Sequence, residues 1–339
     1  MAHHIRLGVV GTGRIGRVHI QTITQRLPQA RIAVVTDVNQ QAAAAVAEAF
    51  GIARVAPDYD AMLADDQIDA VLICSGTDTH ADFIIKAAQA HKHIFCEKPI
   101  AAELSQIDAA LQAVEAAGVQ LMIGFNRRFD ANHQRIRAAI DAGEIGTPHL
   151  LHIISRDPSP PPLDYVRVSG GMFFDMTIHD FDMARFLFGE VTEIYATAGV
   201  LVDPAIGEVG DVDTAVITLK FANGAMGTID NSRRAVYGYD QRVEAFGSEG
   251  VARSDNLFAD AVTLSNRVNV YRGLPLNFFM ERYTPSYQAE IAAFVECLLT
   301  GQPMPVTGID GRIPVLMAMA ARRSYHENRP VRLDEILNS

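Results

Sequence analysis

The run IRLGVVGTGRIG, from Ile5 to Gly16, constrains the fold more than any other stretch of the chain. A short apolar segment turns through Gly11, Gly13 and Gly16 into a helical pattern carried by Ile15, Val18, His19 and Thr22. Glycines at this spacing mark, by themselves, only a tight loop. The continuation narrows the reading, because a second apolar run, RIAVVTDVN, ends in Asp37, 21 residues beyond Gly16. Strand, glycine turn, helix, strand and terminal acid in this order form a dinucleotide-binding βαβ unit. The glycines let the backbone approach a pyrophosphate, the helix N-terminus offers amide donors, and the acid accepts hydrogen bonds from the adenosine ribose. Asp37 would repel a 2′-phosphate, and Val38 and Asn39 bring no cation to offset it, so NAD is expected rather than NADP.

The alternation continues. DAVLICSGTDTH, KHIFCEKPI and VQLMIGFNRRFD read as strands, with helical stretches around Ala81 to Ala90 and Glu103 to Ala117 between them. This is the pattern of a Rossmann-type, doubly wound parallel sheet. Ligands of such sheets bind beyond the carboxyl ends of the strands, which singles out Ser75, Thr77 and His80, then Glu97 with Lys98, then Asn126 with Arg127. With Gly11, Gly13, Arg14, Ile15, Gly16 and Asp37 these, apart from Arg127, make up the expected cofactor site. Arg127 is placed after a sixth strand. Beyond Gly146 the pattern changes: PHLLHIIS is a strand, a proline-rich loop follows, and TAVITLKF puts Ala215, Ile217, Leu219 and Phe221 on one face. AMGTIDNS and QRVEAFG follow, with Asn223-Gly224 as a turn, so the second half reads as an α+β domain with a large, mostly antiparallel sheet. The expected division is residues 1–124 for the nucleotide and 125–339 for substrate and oligomerisation.

Within the second part lies GGMFFDMTIHDFDMARF, Gly170 to Phe186, where acids and a histidine interrupt a buried amphipathic helix. At about 100° per residue, Asp175, His179 and Asp182 share a stripe, while Met176, Met183 and Leu187 define another face. Capping by Asp175 and a satisfied core histidine would account for an isolated pair of this kind. A metal site is disfavoured, because no further His or Cys ligand lies nearby in sequence.

Composition excludes other classes. A formal net charge of −11 speaks against nucleic acid, and no apolar run approaches the roughly 18 residues of a membrane span. The N-terminal MAHHIRLGVVGTG lacks the succession of a signal peptide, so a cytoplasmic protein is expected. Cys74, Cys96 and Cys297 are too few and too scattered for a disulfide framework or a zinc site.

Taken together, GxGxxG with Asp37, CEKP at Cys96 to Pro99, GFNRRFD at Gly124 to Asp130 and GGMFFDMTIHDFDMARF resemble the Gfo/Idh/MocA oxidoreductase family over nearly the whole chain. The resemblance implies an NAD-dependent dehydrogenase with Lys98, Asp175 and His179 as the catalytic group. The substrate it implies is an uncharged cyclitol, myo-inositol first, with scyllo-inositol or an aldose such as glucose as alternatives. Arg127, Asp157 and Tyr237 are further candidates for holding ring hydroxyls, and a homotetramer is implied. The implied chemistry is coherent: oxidation of a secondary alcohol needs a base near neutrality, which suits His179, and a cation to favour alkoxide character, which suits Lys98. Asp175 would orient its neighbours and pair the lysine. The competing classes are an NAD-bound sugar sensor without turnover, whose mark would be loss of Lys98 or His179, and a glycosidase that uses NAD transiently.

Overall fold

The computed structural model describes residues 4–338. The chain divides into two compact units, the first running to Asn126 and taking in Ser286–Val315, the second holding Arg127–Pro285 and the residues from Leu316 onward.

In the first unit, β1 (Ile5–Val10), β2 (Ala30–Thr36), β3 (Ala70–Ile73), β4 (His93–Glu97) and β5 (Leu121–Gly124) form a parallel sheet in the order β2-β1-β3-β4-β5. Every residue of β3 and of β5 is buried, which explains why those runs are apolar without alternation: parallel strands are covered on both faces. The sheet has five strands, not six. Arg127 therefore follows β5, in a 3-10 turn over Asn126–Phe129. The later segment is tied on at β5, where the Ile123 amide donates to the Val306 carbonyl at 3.1 Å, and through Arg312, whose Nε donates to Asp108 at 2.6 Å.

The second unit is built on a seven-stranded sheet of β6 (Pro148–Arg156), β7 (Val191–Gly199), β8 (Thr214–Phe221), β9 (Met226–Ser232), β10 (Asp240–Gly247), β11 (Val251–Ser254) and, after the hairpin of β12 (Thr263–Ser265) and β13 (Val270–Arg272), β14 (Val331–Arg332). Its order is β11-β10-β6-β9-β8-β7-β14, and only β6 and β9 pair in parallel. In β8 the expected face is buried, Ala215, Ile217, Leu219 and Phe221, while alternate residues face out. Asn223 and Gly224 close the β8–β9 hairpin, with Gly224 at φ +90°. The helix Thr177–Phe188 lies over β6 and β9. No helix among the described residues is long and apolar enough to cross a membrane.

Candidate active site

In the first unit the glycines of the β1 turn differ in what they do. Gly11 has φ +92°, and a Cβ there would sit 2.5 Å from the Cys74 carbonyl; a Cβ on Gly16 would sit 2.0 Å from the Gly11 oxygen. Both are required by packing of the turn itself. Gly13 is different, since a Cβ would meet nothing within 4 Å, and it caps the helix Arg14–Arg26 without any side-chain bond to the first-turn amides. Arg14 and Ile15 open that helix. Asp37, just past β2, accepts from the Thr12 amide at 2.6 Å, the Thr12 hydroxyl at 2.9 Å and the Asn39 amide at 2.9 Å. Partial burial would raise its carboxyl, but these donors prevail and hold it below the ordinary aspartate range. A carboxylate offers about four lone-pair sites, so three protein donors leave room for a ribose hydroxyl. The open face above Gly13, the uncapped helix start and the ionised Asp37 fit a dinucleotide.

The other strand ends carry Ser75, Thr77, His80, Glu97, Lys98 and Asn126, all on the same carboxyl edge of the sheet. Ser75 shares a hydrogen bond with Thr79 at 2.6 Å, and Thr77 opens the helix Thr77–Gln89. His80 is buried, with Nδ1 at 2.8 Å from the Pro99 carbonyl and Nε2 at 3.1 Å from that of Ser75; burial holds its pKa below the usual value despite those two acceptors. It thus links the ends of β3 and β4. Glu97 is buried and lies 2.6 Å from His19 Nε2. Lys98, half-buried, follows it and precedes a cis peptide to Pro99. Asn126 donates to Ser286 Oγ at 3.2 Å.

In the second unit the expected single helix is two: Met172–Asp175 and Thr177–Phe188, broken at Met176. Gly170 and Gly171, at φ +83° and +87°, turn the chain into the first, and Asp211 accepts from the Met172 amide at 3.0 Å to cap it. From Met172 to Ala184 every residue is buried except Asp175 and His179. Asp182 does not share their exposure. It is buried against Arg128, which donates at 2.6 to 3.0 Å. The polar stripe read from helical spacing is therefore two separate things, an accessible pair and a set of buried ion pairs.

Arg127 belongs to that buried set: it donates to Asp180 at 2.6 Å and to the Tyr239 hydroxyl at 3.4 Å. Asp180 also accepts from Asn231 at 2.8 Å, and Asn231 in turn accepts from Thr177 at 2.7 Å, which fastens the helix to β9. Asp157, just past β6, has its carboxyl pushed up to about 6, first by burial and further by Asp175 and Asp180, against the opposing pull of Arg233 and Arg127. Asp157, Asp175 and Arg127 are thus brought into one electrostatic neighbourhood. Tyr237 is engaged elsewhere, donating to Asp240 at 2.6 Å and accepting from Arg156 at 3.2 Å. Asp175 accepts from the Tyr165 hydroxyl at 2.8 Å and faces Arg233 at 3.6 Å. Arg233, 1% exposed and placed directly after β9, was not among the expected site residues. Its position after a strand, in NSRR, was the available signal.

Residues 5–125 match the oxidoreductase family described as GFO_IDH_MocA, NAD-binding Rossmann fold, and residues 133–253 match the GFO/IDH/MocA C-terminal domain. The myo-inositol 2-dehydrogenase of Thermotoga maritima is 46% identical over 334 residues, covering 98% of this chain and 100% of that protein. The inositol 2-dehydrogenase of Rhizobium meliloti is 45% identical over 328 residues, covering 96% and 98%. Among solved structures, scyllo-inositol dehydrogenase from Lactobacillus casei with bound NAD(H) and scyllo-inositol matches with a TM-score of 0.91 at 28% identity, covering 98% and 99%.

Proposed function

Since this chain belongs to the Gfo/Idh/MocA family of NAD-binding oxidoreductases, we propose that it oxidises the secondary alcohol of a cyclitol, taking myo-inositol to 2-keto-myo-inositol (scyllo-inosose). The substrate follows the two relatives at 45–46% identity. The observation that carries the chemistry is that Asp175 and His179, on either side of the break at Met176, are the accessible polar side chains of an otherwise buried segment.

NAD, when bound, accepts a hydride from the carbinol carbon. The chain's own residues manage the proton and the charge. Neutral His179 takes the hydroxyl proton, and Lys98 supplies the cation that favours alkoxide character as that proton leaves. Asp175, held by Tyr165 and faced by Arg233, orients the substrate and stabilises the imidazolium. Asp157 accepts from a ring hydroxyl. Arg127 and Tyr237, whose polar atoms already bond Asp180 and Asp240, act by fixing those partners. On the nucleotide side, Gly13 and the helix start would receive the pyrophosphate and Asp37 the ribose, with Ser75, Thr77, His80, Glu97 and Asn126 shaping the strand ends. The first unit serves the cofactor and the second the substrate. A homotetramer in the cytoplasm completes the reading, with the outward residues of the seven-stranded sheet, Val216, Met226 and Phe246 among them, as the contact face.

The test is to assay purified protein with NAD against a panel of polyols and sugars at the NADH absorbance. Highest kcat/KM on myo-inositol is expected. Preference for scyllo-inositol or glucose would reassign the substrate, and preference for a phosphorylated or carboxylated sugar would remove the reading.

A further inference from the structure

Glu290 lies inside the first unit at 0% exposure, and neither of its carboxylate oxygens has a hydrogen-bond partner among the described residues. It does not lie among apolar groups alone. Ligand-capable atoms of His19, Glu97 and Glu290 all fall within 4.8 Å of one another. Glu97 already has a partner there, its Oε1 lying 2.6 Å from His19 Nε2. His19 is itself held edge-on by Phe95 and Tyr287, with ring centroids 5.2 and 6.0 Å away, and its buried Nδ1 has no hydrogen-bond partner among the described residues.

An ionised carboxylate costs a great deal to bury without a donor, and a second one alongside raises that cost further. A cation or a proton must make good the difference. A divalent metal is poorly served, since 2.6 Å between His19 Nε2 and Glu97 Oε1 is a hydrogen-bond distance and too short for two ligands of one ion as they stand. We propose that Glu290 is a neutral carboxylic acid in the native protein and that, with His19 and Glu97, it positions the turn that carries Lys98. Burial, with Glu97 adding to it, raises the Glu290 carboxyl well above its ordinary range. The other titratable groups facing the cluster are Cys74 and Cys96, whose thiols burial keeps neutral, His80 across Glu97, and Tyr287 on Glu290's own helix. Ionisation of Glu290 would set two carboxylates against each other and push Glu97, the residue preceding Lys98, from its place. The positioning role rests on the proposed part of Lys98 in turnover; the protonation does not.

Thermal melting of wild type and Glu290→Gln between about pH 5 and 8 tests it. A carboxyl raised in the folded state contributes stability that is present below its unfolded pKa and lost as pH rises toward the folded value. The melting temperature of Glu290→Gln should therefore gain on wild type with rising pH. An infrared band of a protonated carboxyl should persist in wild type at about pH 8 and be absent from the variant. A Glu290→Gln protein that loses ground with rising pH would overturn the proposal, as would stoichiometric metal in purified wild type that the variant lacks. For positioning, Glu290→Gln should keep turnover close to wild type. Glu290→Met, of similar volume but apolar beside the His19–Glu97 pair, should lower kcat by about 10²-fold. Equal turnover in the two variants would refute the positioning role. The melting and infrared measurements use no substrate, so their failure overturns the neutral acid whatever the polyol panel returns.

Discussion

The glycine turn of the first unit and the Asp175–His179 segment of the second are two ways of making a site. The turn works by what is absent: at Gly11 and Gly16 a single methyl would strike backbone at 2.5 and 2.0 Å, and the surface proposed to receive NAD is main chain, a helix start and one carboxylate. The helix works by what lies behind it. Two accessible side chains are held in place by the buried pairs Arg127–Asp180 and Arg128–Asp182, with Arg282–Asp130 nearby in the same unit. Buried ion pairs are poor sources of net stability but costly to break one-sidedly. Such a layer therefore serves orientation more than stability.

That contrast can be broken most severely at Gly16. Gly16→Ala should cost about 3 kcal/mol of stability or more, by denaturant unfolding, because the obstacle is backbone and cannot rotate away. Gly13→Ala should leave the melting temperature unchanged and weaken NAD binding alone, by about tenfold in Kd. If both variants unfold alike, the division between a packing glycine and a cradle glycine fails. In the second unit, Asp182→Ala removes a carboxylate that Arg128 bonds in the interior and should cost about 3 to 5 kcal/mol; a loss below about 1 kcal/mol would place this pair with ordinary surface bridges. An effect as small as that of Gly13→Ala is expected at Asp37. Asp37→Ser should shift the NAD to NADP ratio of kcat/KM by about tenfold toward NADP, and an unchanged ratio would show that Asp37 serves only the Thr12 and Asn39 donors.

The same contrast explains what could be read from the chain. Glycine spacing, apolar runs and strand-end acids are local patterns, so the parallel sheet, the position of Asp37 and the inward face of β8 were legible. Partnerships across long stretches were not. Helical spacing put Asp182 beside Asp175 and His179, but Arg128, 54 residues earlier, claims it, and no local rule pairs those two. The break at Met176 was hidden because a one-residue interruption leaves the apolar pattern intact. Arg233 stands out less, because strand carboxyl ends mark ligand sites in open parallel sheets and β9 belongs to a mostly antiparallel one. The helices Phe279–Thr300 and Gly308–Glu327 each contain a proline, Pro285 and Pro314, which weakens a helical reading of either run. Nothing local says that residues 286–315 rejoin the first unit.

In the proposed mechanism, recognition of NAD and handling of the proton belong to separate features, the glycine turn and His179. Its most direct test is to measure kcat and NAD affinity together in His179→Ala. A kcat lower by about 10² to 10⁴ with the NAD Kd unchanged is expected. Turnover near that of wild type would contradict it and would return His179 to a structural part in the helix.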